Sequence, residues 1–446
     1  MSPRPDALIP GPTGPDMLRG IGLMRRDPPR FLAECAQRHG PVVSFPIPRA
    51  TVLYLADPAD VRRVLQGNHP AYGKQTVQYD ALALVTGRGL LASDGELWRR
   101  MRRVLQPAFH HDLVEQMAGD VVAPTDRLSG RWNRLGDDEP VDLDQQMLEL
   151  TLEVVGSTLF GADLGQEAAS LVTAVMRALH VVVAKSQQPL SLPDWVPTPG
   201  NRRLAQSLTQ LDDAVAQLIA ARRSRPLAQD ALSLLLRARD EGIASDEEVR
   251  NEVVTLIVAG HETVAATLTW TWSLVASDQA VAARLHDEVD ALPDGSWDMT
   301  ALAQLPYTRA VIDECLRLYP PAWVMTRRSL TNDRLGGYDV PAGATLIMSP
   351  YLLHRDASLW DAPELFDPRR FLDQAQQGVD RSTYLPFGFG PRLCIGRELS
   401  LFEAPLIVAS LARRFVIRPL QPQSVVKDFG VTLRPRDGLA ATVEPR

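Results

Sequence analysis

Near its C-terminal end the chain reads FGFGPRLCIG, residues Phe387 to Gly396, with a cysteine between glycines and an arginine two positions before it. Glycine lets a backbone turn tightly and approach a ligand closely, while a nearby cation and a following helix N-terminus both favour thiolate over thiol. The pattern Phe387-x-x-Gly390-x-Arg392-x-Cys394-x-Gly396 is suited to holding a sulfur anion against something large and flat. A second stretch, Ala259-Gly260-His261-Glu262-Thr263, interrupts a long apolar run. Glycine and threonine at a helix centre cost up to ~1 kcal/mol in propensity, and a buried carboxylate costs more, so a compensating role is expected. The bland alternative is a helix bent by threonine back-bonding, with Glu262 in an ion pair.

Two further patterns pair a charge with a partner on one helix face. Glu314-Cys315-Leu316-Arg317 sets opposite charges at i, i+3, and Trp98 and Arg102 in WRRMRR stand at i, i+4. Taken together, the four patterns resemble the cytochrome P450 superfamily, whose haem-binding loop has the spacing seen around Cys394. The resemblance implies haem b (iron protoporphyrin IX) with Cys394 as the thiolate ligand that pushes electron density onto iron. It implies Phe387 shielding the sulfur, Gly390 and Gly396 turning the backbone under the porphyrin, and Arg392 on a propionate. Trp98 and Arg102 would meet a propionate as well, with Arg327 of WVMTRRSL, or its neighbour Arg328, adding another cation. Ala259 and Gly260 would leave room for dioxygen, Thr263 would hydrogen-bond it and Glu262 would relay protons. Residue His261 is expected to be structural. Glu314 and Arg317, with Arg370 of FDPRRF, would be scaffold supporting the haem loop; Arg369 stands where the family commonly has glutamate.

These residues need elements to carry them. Pro28 to His39 has a helical pattern, Thr51 to Ala56 reads as a strand, and Asp57-Pro58 caps a following helix. A capping box Ser93…Glu96 opens the stretch holding Trp98 and Arg102. Amphipathic stretches follow near 111–135, 142–160, 165–184, 200–224, 228–241 and 245–277, and another helix ends at Leu318. Strand and turn signals return in DRLGGYDVPAGATLIMS and VTLRPRDGLAATVEP. The proline-rich SQQPLSLPDWVPTPGN, with Leu190, Leu192 and Trp195, suggests a mobile apolar flap. The fold class implied is mostly α, a P450 fold in which 1–446 form one helical haem domain with a smaller β-rich region. Residues 1–20 are expected to be a flexible lead-in.

Bulk properties narrow the partners. A net charge of −7 argues against a nucleic-acid binder, and three scattered cysteines, Cys35, Cys315 and Cys394, suggest neither disulfides nor a zinc site. Val253 to Ala276 is long enough to span a bilayer, but with His261 and Glu262 at its centre it reads as a buried core helix. No secretory signal is evident, so a cytoplasmic location is expected, with transient membrane-surface contact for an apolar substrate. The chain ends soon after the Cys394 segment, and no attached reductase domain is expected. Electrons would come from a ferredoxin or flavodoxin with its NAD(P)H-dependent reductase. Arg99, Arg100 and Arg103 would be a solvated face able to dock such an acidic donor.

The reaction implied is insertion of one atom of O2 into a C–H bond. Residues 74–98, AGHETVAATLTW, LRLYPPAWVMTRR and VTLRPRDGL are similar to the carotenoid β-ring hydroxylase branch. That likeness makes the ring of a carotenoid the expected substrate, with Gln78, Tyr79, Leu82, Val324 and Met325 as pocket candidates. Alternatives are a fatty-acid or terpenoid hydroxylase, and a non-catalytic haem-thiolate sensor, which would need no proton relay.

Overall fold

A computed structural model of the chain describes residues 8–136, 139–162, 173–179, 181, 196, 198–293, 299–372, 383–420 and 425–446. The helices that matter for the site are α1 (Gly14–Arg26), α2 (Pro28–His39), α3 (Val77–Thr86), α4 (Gly95–Leu105), α5 (Leu143–Phe160), α6 (Asp246–Ser277), α7 (Pro306–Leu318) and α8 (Arg397–Ala412). Short strands run from β1 (Val42–Phe45), β2 (Val52–Leu55), β3 (Tyr72–Gly73) and β4 (Val141–Asp142) to β5 (Met325–Ser329), β6 (Asp333–Leu335), β7 (Tyr338–Val340) and β8 (Thr345–Met348). They continue with β9 (Phe415–Pro419), β10 (Lys427–Phe429), β11 (Leu433–Pro435) and β12 (Ala440–Pro445). Two compact units emerge. One comprises Met1–Asp80, Leu316–Leu365 and Gln377–Cys394; the other comprises Ala81–Cys315, Phe366–Gln376 and Ile395–Arg446.

The first unit is built on a five-stranded sheet of order β1-β2-β8-β5-β3. Alternating side chains on these strands fill a core of Val42, Leu53, Leu55, Met325, Leu346 and Met348, which also takes in Leu385, just upstream of the cysteine loop. Burying each such side chain stabilises the unit by roughly 1.5–3 kcal/mol. Helix α2 has the expected bounds, and Asp57 caps the turn after β2 by accepting from the N–H of Ala59 at 2.7 Å. The lead-in is shorter than the sequence suggested. Residues 14–20 are already helical, because Thr13 and Asp16 form a reciprocal capping box and a proline occupies the first turn of α1.

In the second unit α5 and α6 pack along each other, and Thr151 donates to the carbonyl of His261 at 3.0 Å. A capping box of Ser245 and Glu248 starts α6, the one described helix long and apolar enough to cross a membrane; 83% of its apolar window is buried inside the protein. One start signal was misplaced. Asp94, not Ser93, is the N-cap of α4, and its side chain makes no capping bond. Of the 165–184 stretch, 173–179 and 181 are helical and the rest lies outside the described residues, as do Leu190, Leu192 and Trp195 of the expected flap. The terminal strand signals give the hairpin β10-β11 and the sheet β4-β12-β9.

Candidate active site

Of the three cysteines, Cys35 and Cys315 are buried and Cys394 is exposed. Burial pushes the Cys315 thiol up to about 12, and its Sγ lies 3.5 Å from the Thr267 carbonyl, so it is held as a thiol. The first-unit loop that carries Cys394 is tightly wound. Its N–H donates to the Phe387 carbonyl at 3.0 Å, across a single turn formed by Gly390–Arg392. Glycine is obligatory at 390: φ is +72°, and a Cβ there would lie 2.3 Å from the Leu65 carbonyl oxygen. Phe387 and Arg392 are half-buried on this loop, and Gly396 stands at the start of α8. Cys394 is thus the one exposed cysteine, two positions after Arg392 and three before the first residue of α8 in the sequence.

In the second unit, every residue of α6 from Asn251 to Ser273 is buried except Ala259, Gly260 and Thr263. These three share one helix face, so an otherwise enclosed helix has a single opening at its small residues and its hydroxyl. A Cβ on Gly260 would stand 3.0 Å from Cγ2 of Val155 on α5, so the helices approach closely there. The Thr263 hydroxyl donates to the Ala259 carbonyl at 2.7 Å, as the back-bonding reading expects. Glu262, 3% exposed, differs from that reading: its Oε1 accepts from the Thr432 hydroxyl at 2.6 Å, and Oε2 has no partner. Burial pushes its pKa up, while Arg434 and the Thr432 hydrogen bond pull it down and Asp144 pushes it up. His261 behaves as the expected core residue. Its Nδ1 lies 2.5 Å from the Ile257 carbonyl, and burial lowers its pKa to about 4, leaving a neutral ring.

Trp98 and Arg102 lie half-buried on α4, while Arg99 and Arg103 are exposed. All four line an open depression with Gln106, Pro107, His110 and Leu113. Arg100 is a correction to the expected solvated face: it pairs with Glu248 at the start of α6.

The cytochrome P450 family model matches residues 10–439. The chain belongs to the cytochrome P450 family. Cyclooctatin synthase of Streptomyces melanosporofaciens is 34% identical, over 95% of this chain and 91% of that protein. LUTEIN DEFICIENT 5 of Arabidopsis thaliana is 34% identical, over 88% of this chain and 70% of its own length. Pentalenene oxygenase of Streptomyces avermitilis is 32% identical, over 91% and 90%. The chain is thus a P450 monooxygenase, which implies a haem-thiolate cofactor and an electron donor. The residues present fit that group: one open sulfur over a loop that admits no Cβ at 390, and one opening on α6 at residues 259, 260 and 263.

In this P450 Glu314 and Arg317 are deeply buried, and Arg370 is partly so. Arg317 donates to three carbonyls, those of His354 at 2.8 Å, Pro363 at 2.7 Å and Leu365 at 3.0 Å. His354, which the sequence did not single out, joins Arg317 to the cysteine loop. Its Nε2 accepts the N–H of Leu385 at 2.8 Å, so Nδ1 must be the protonated nitrogen, donating to the Arg317 carbonyl at 3.0 Å. Burial lowers its pKa to about 3, in keeping with a permanently neutral bridge. Glu314 accepts from Arg370 Nε at 3.3 Å and from the N–H of Asp367 at 2.9 Å. The unusual Arg369 turns outward onto Asp367 at 2.7 Å, leaving Arg370 for Glu314.

The pairing of β5 with β8 decides which way the neighbouring arginines face. Arg327 is buried and Arg328 exposed, and Arg327 Nη1 donates to the Tyr79 hydroxyl at 3.2 Å. Gln78 fastens to β5 and the residue before it, accepting from Thr326 at 2.8 Å and donating to the Val324 carbonyl at 3.4 Å. The structure therefore brings Gln78, Tyr79, Val324, Met325 and Arg327 together in the first unit. Leu82 is buried further along α3.

Proposed function

We propose that this P450 hydroxylates the ring of a carotenoid, with residues 1–446 acting as one haem domain. The observation that carries the reaction class to these residues is the opening of α6 at Ala259, Gly260 and Thr263. The carotenoid assignment is supported by the relative whose name ties it to lutein, itself a carotenoid. When bound, haem b supplies the oxidation, delivering one atom of O2 to the C–H bond and the other to water with two electrons and two protons. Cys394 ligates it, Phe387 shields the sulfur, Gly390 and Gly396 shape the loop, and Trp98, Arg102, Arg327 and Arg392 hold the propionates. Ala259 and Gly260 leave room for the small reactant. Thr263 positions a proton and Glu262 carries protons in from the protein interior.

Leu82, Val324 and Met325 receive the ring, with Gln78 and Tyr79 fixing the wall by their bonds to the Val324–Arg327 segment. A ring moving into an apolar pocket gains about 25 cal/mol for each Å2 removed from water. Supplying β-carotene or zeaxanthin with a surrogate ferredoxin system, and palmitate as control, is expected to give a ring hydroxyl by mass and NMR. Fatty-acid oxidation without carotenoid turnover would discard the assignment. A second reading, a hydroxylase of smaller cyclic terpenoids, is favoured by the names of the Streptomyces relatives, and a cyclic terpene hydrocarbon belongs in the same assay.

The electron donor in this reading is a cytoplasmic ferredoxin or flavodoxin with its NAD(P)H reductase, and substrate is collected by transient contact with a membrane surface. Arg99 and Arg103, exposed beside Trp98 and Arg102, are the docking cations. Arg99→Glu and Arg103→Glu are each expected to slow reduction by ferredoxin several-fold at low salt. The wild-type rate itself should fall with salt, since exposed charges are screened over about 10 Å at 0.1 M. Stopped-flow reduction rates indifferent to both changes would leave the pair as ordinary surface.

A further inference from the structure

Three successive residues before and within β11 each reach a different partner on α5 or α6. The Thr432 hydroxyl donates to Glu262 at 2.6 Å, and the Leu433 carbonyl accepts from Trp270 Nε1 at 3.1 Å. Arg434 pairs with Asp144, both side chains being less than a tenth exposed. Asp144 is fixed in turn by Thr269, whose hydroxyl donates to it at 3.2 Å, and Arg434 also lies 3.4 Å from the Met176 sulfur. A buried arginine clamped this way is a fixed positive charge, because releasing it would strand a carboxylate in the interior. Meanwhile Oε2 of Glu262 remains buried and without a partner. Such an orphaned oxygen is where a proton or a water is accommodated.

We infer that the Thr432–Arg434 segment is the device that holds Glu262 in place and sets how readily it takes up a proton, with Thr432 as a positioning residue for the oxygen chemistry. The inference rests on the reading of Glu262 as the proton carrier. The charged and titratable groups facing Glu262 are Arg434 from the hairpin and Asp144 from α5, with neutral His261 beside it on α6. A hydroxyl that donates to a carboxylate favours its charged form, so its loss raises the pKa of Glu262. The pH limb of proton delivery then moves to higher pH.

The test compares Thr432→Val, Thr432→Ser, Glu262→Gln and wild type as haem-loaded proteins. Infrared titration of 13C-glutamate-labelled ferric protein, with Glu262→Gln assigning the signal, reads the carboxyl without turnover. The pH profile of peroxide released per reduced cofactor reads the consequence. In Thr432→Val the Glu262 titration and the peroxide limb should both move to higher pH, and Thr432→Ser should restore both. A merely structural role would lower activity without moving either curve. If Glu262→Gln leaves peroxide release unchanged, the proton-carrier reading itself fails. If Glu262→Gln uncouples but Thr432→Val titrates like wild type, only the positioning role is overturned. Should Thr432→Val fail to fold, Thr432→Ala carries the same comparison, with the same two outcomes deciding.

Discussion

Replacing Cys394 by serine is expected to abolish the red-shifted Soret band of the reduced protein under carbon monoxide, and turnover with it. A Cys394 thiolate would give that shift by pushing electron density onto the iron, and a serine hydroxyl is too weak a donor to reproduce it. Neither remaining cysteine can stand in. Cys315 is buried on α7, its thiol pushed up to about 12, and the Cys35 thiol is likewise raised by burial in α2. Forming a thiolate at either place would cost the desolvation that Cys394, in the open, does not meet. The loop itself should survive, because its shape comes from Gly390 against Leu65 and from the backbone bond between Cys394 and Phe387. The loss should therefore appear as a changed spectrum in a folded protein, with far-ultraviolet circular dichroism close to wild type. Retention of the band in Cys394→Ser, with loss in Cys35→Ser or Cys315→Ser, would move the ligand elsewhere.

What the sequence made legible divides by range. Helix α2, the start of the 245–277 helix and the end of α7 at Leu318 are set by a few neighbouring residues, and the structure has them as read. A local signal also misled by one residue: Ser93…Glu96 reads as a capping box, yet the chain caps α4 with Asp94. The lead-in looked flexible because proline and glycine crowd it, although the same Pro15 supports the first turn of α1. Long-range partners left no local mark. Glu262 and Thr432 are 170 residues apart and Asp144 and Arg434 are 290 apart, so VTLRPRDGL showed only as a stretch similar to other chains. His354 was invisible for the same reason, being a lone histidine until Arg317 and Leu385 bracket it. Arg327 and Arg328 were indistinguishable until strand pairing set which one faces inward.

Thr263→Ala is expected to leave folding and haem uptake intact while separating electron consumption from product formation. The residue lies at the opening of α6, and alanine is a better helix former than threonine, so stability should not suffer. The hydroxyl now bonds only to the Ala259 carbonyl one turn back, a contact that contributes little to the helix and whose oxygen still has a lone pair to offer. Nothing in the Cys394 loop touches that bond. In the reaction proposed above, what the substitution removes is a positioned proton donor, and such groups are worth about 10²–10⁴-fold in a proton-transfer step. Because peroxide release competes with that step, product formed per reduced cofactor should fall about tenfold or more, with peroxide making up the difference. Thr263→Ser, which keeps the hydroxyl, should recover most of the coupling, and Thr263→Val, which keeps the volume, should not. That contrast separates proton delivery from the filling of space: equal coupling in the serine and valine forms would mean that Thr263 acts by its size, and unchanged coupling in alanine would remove it from the reaction.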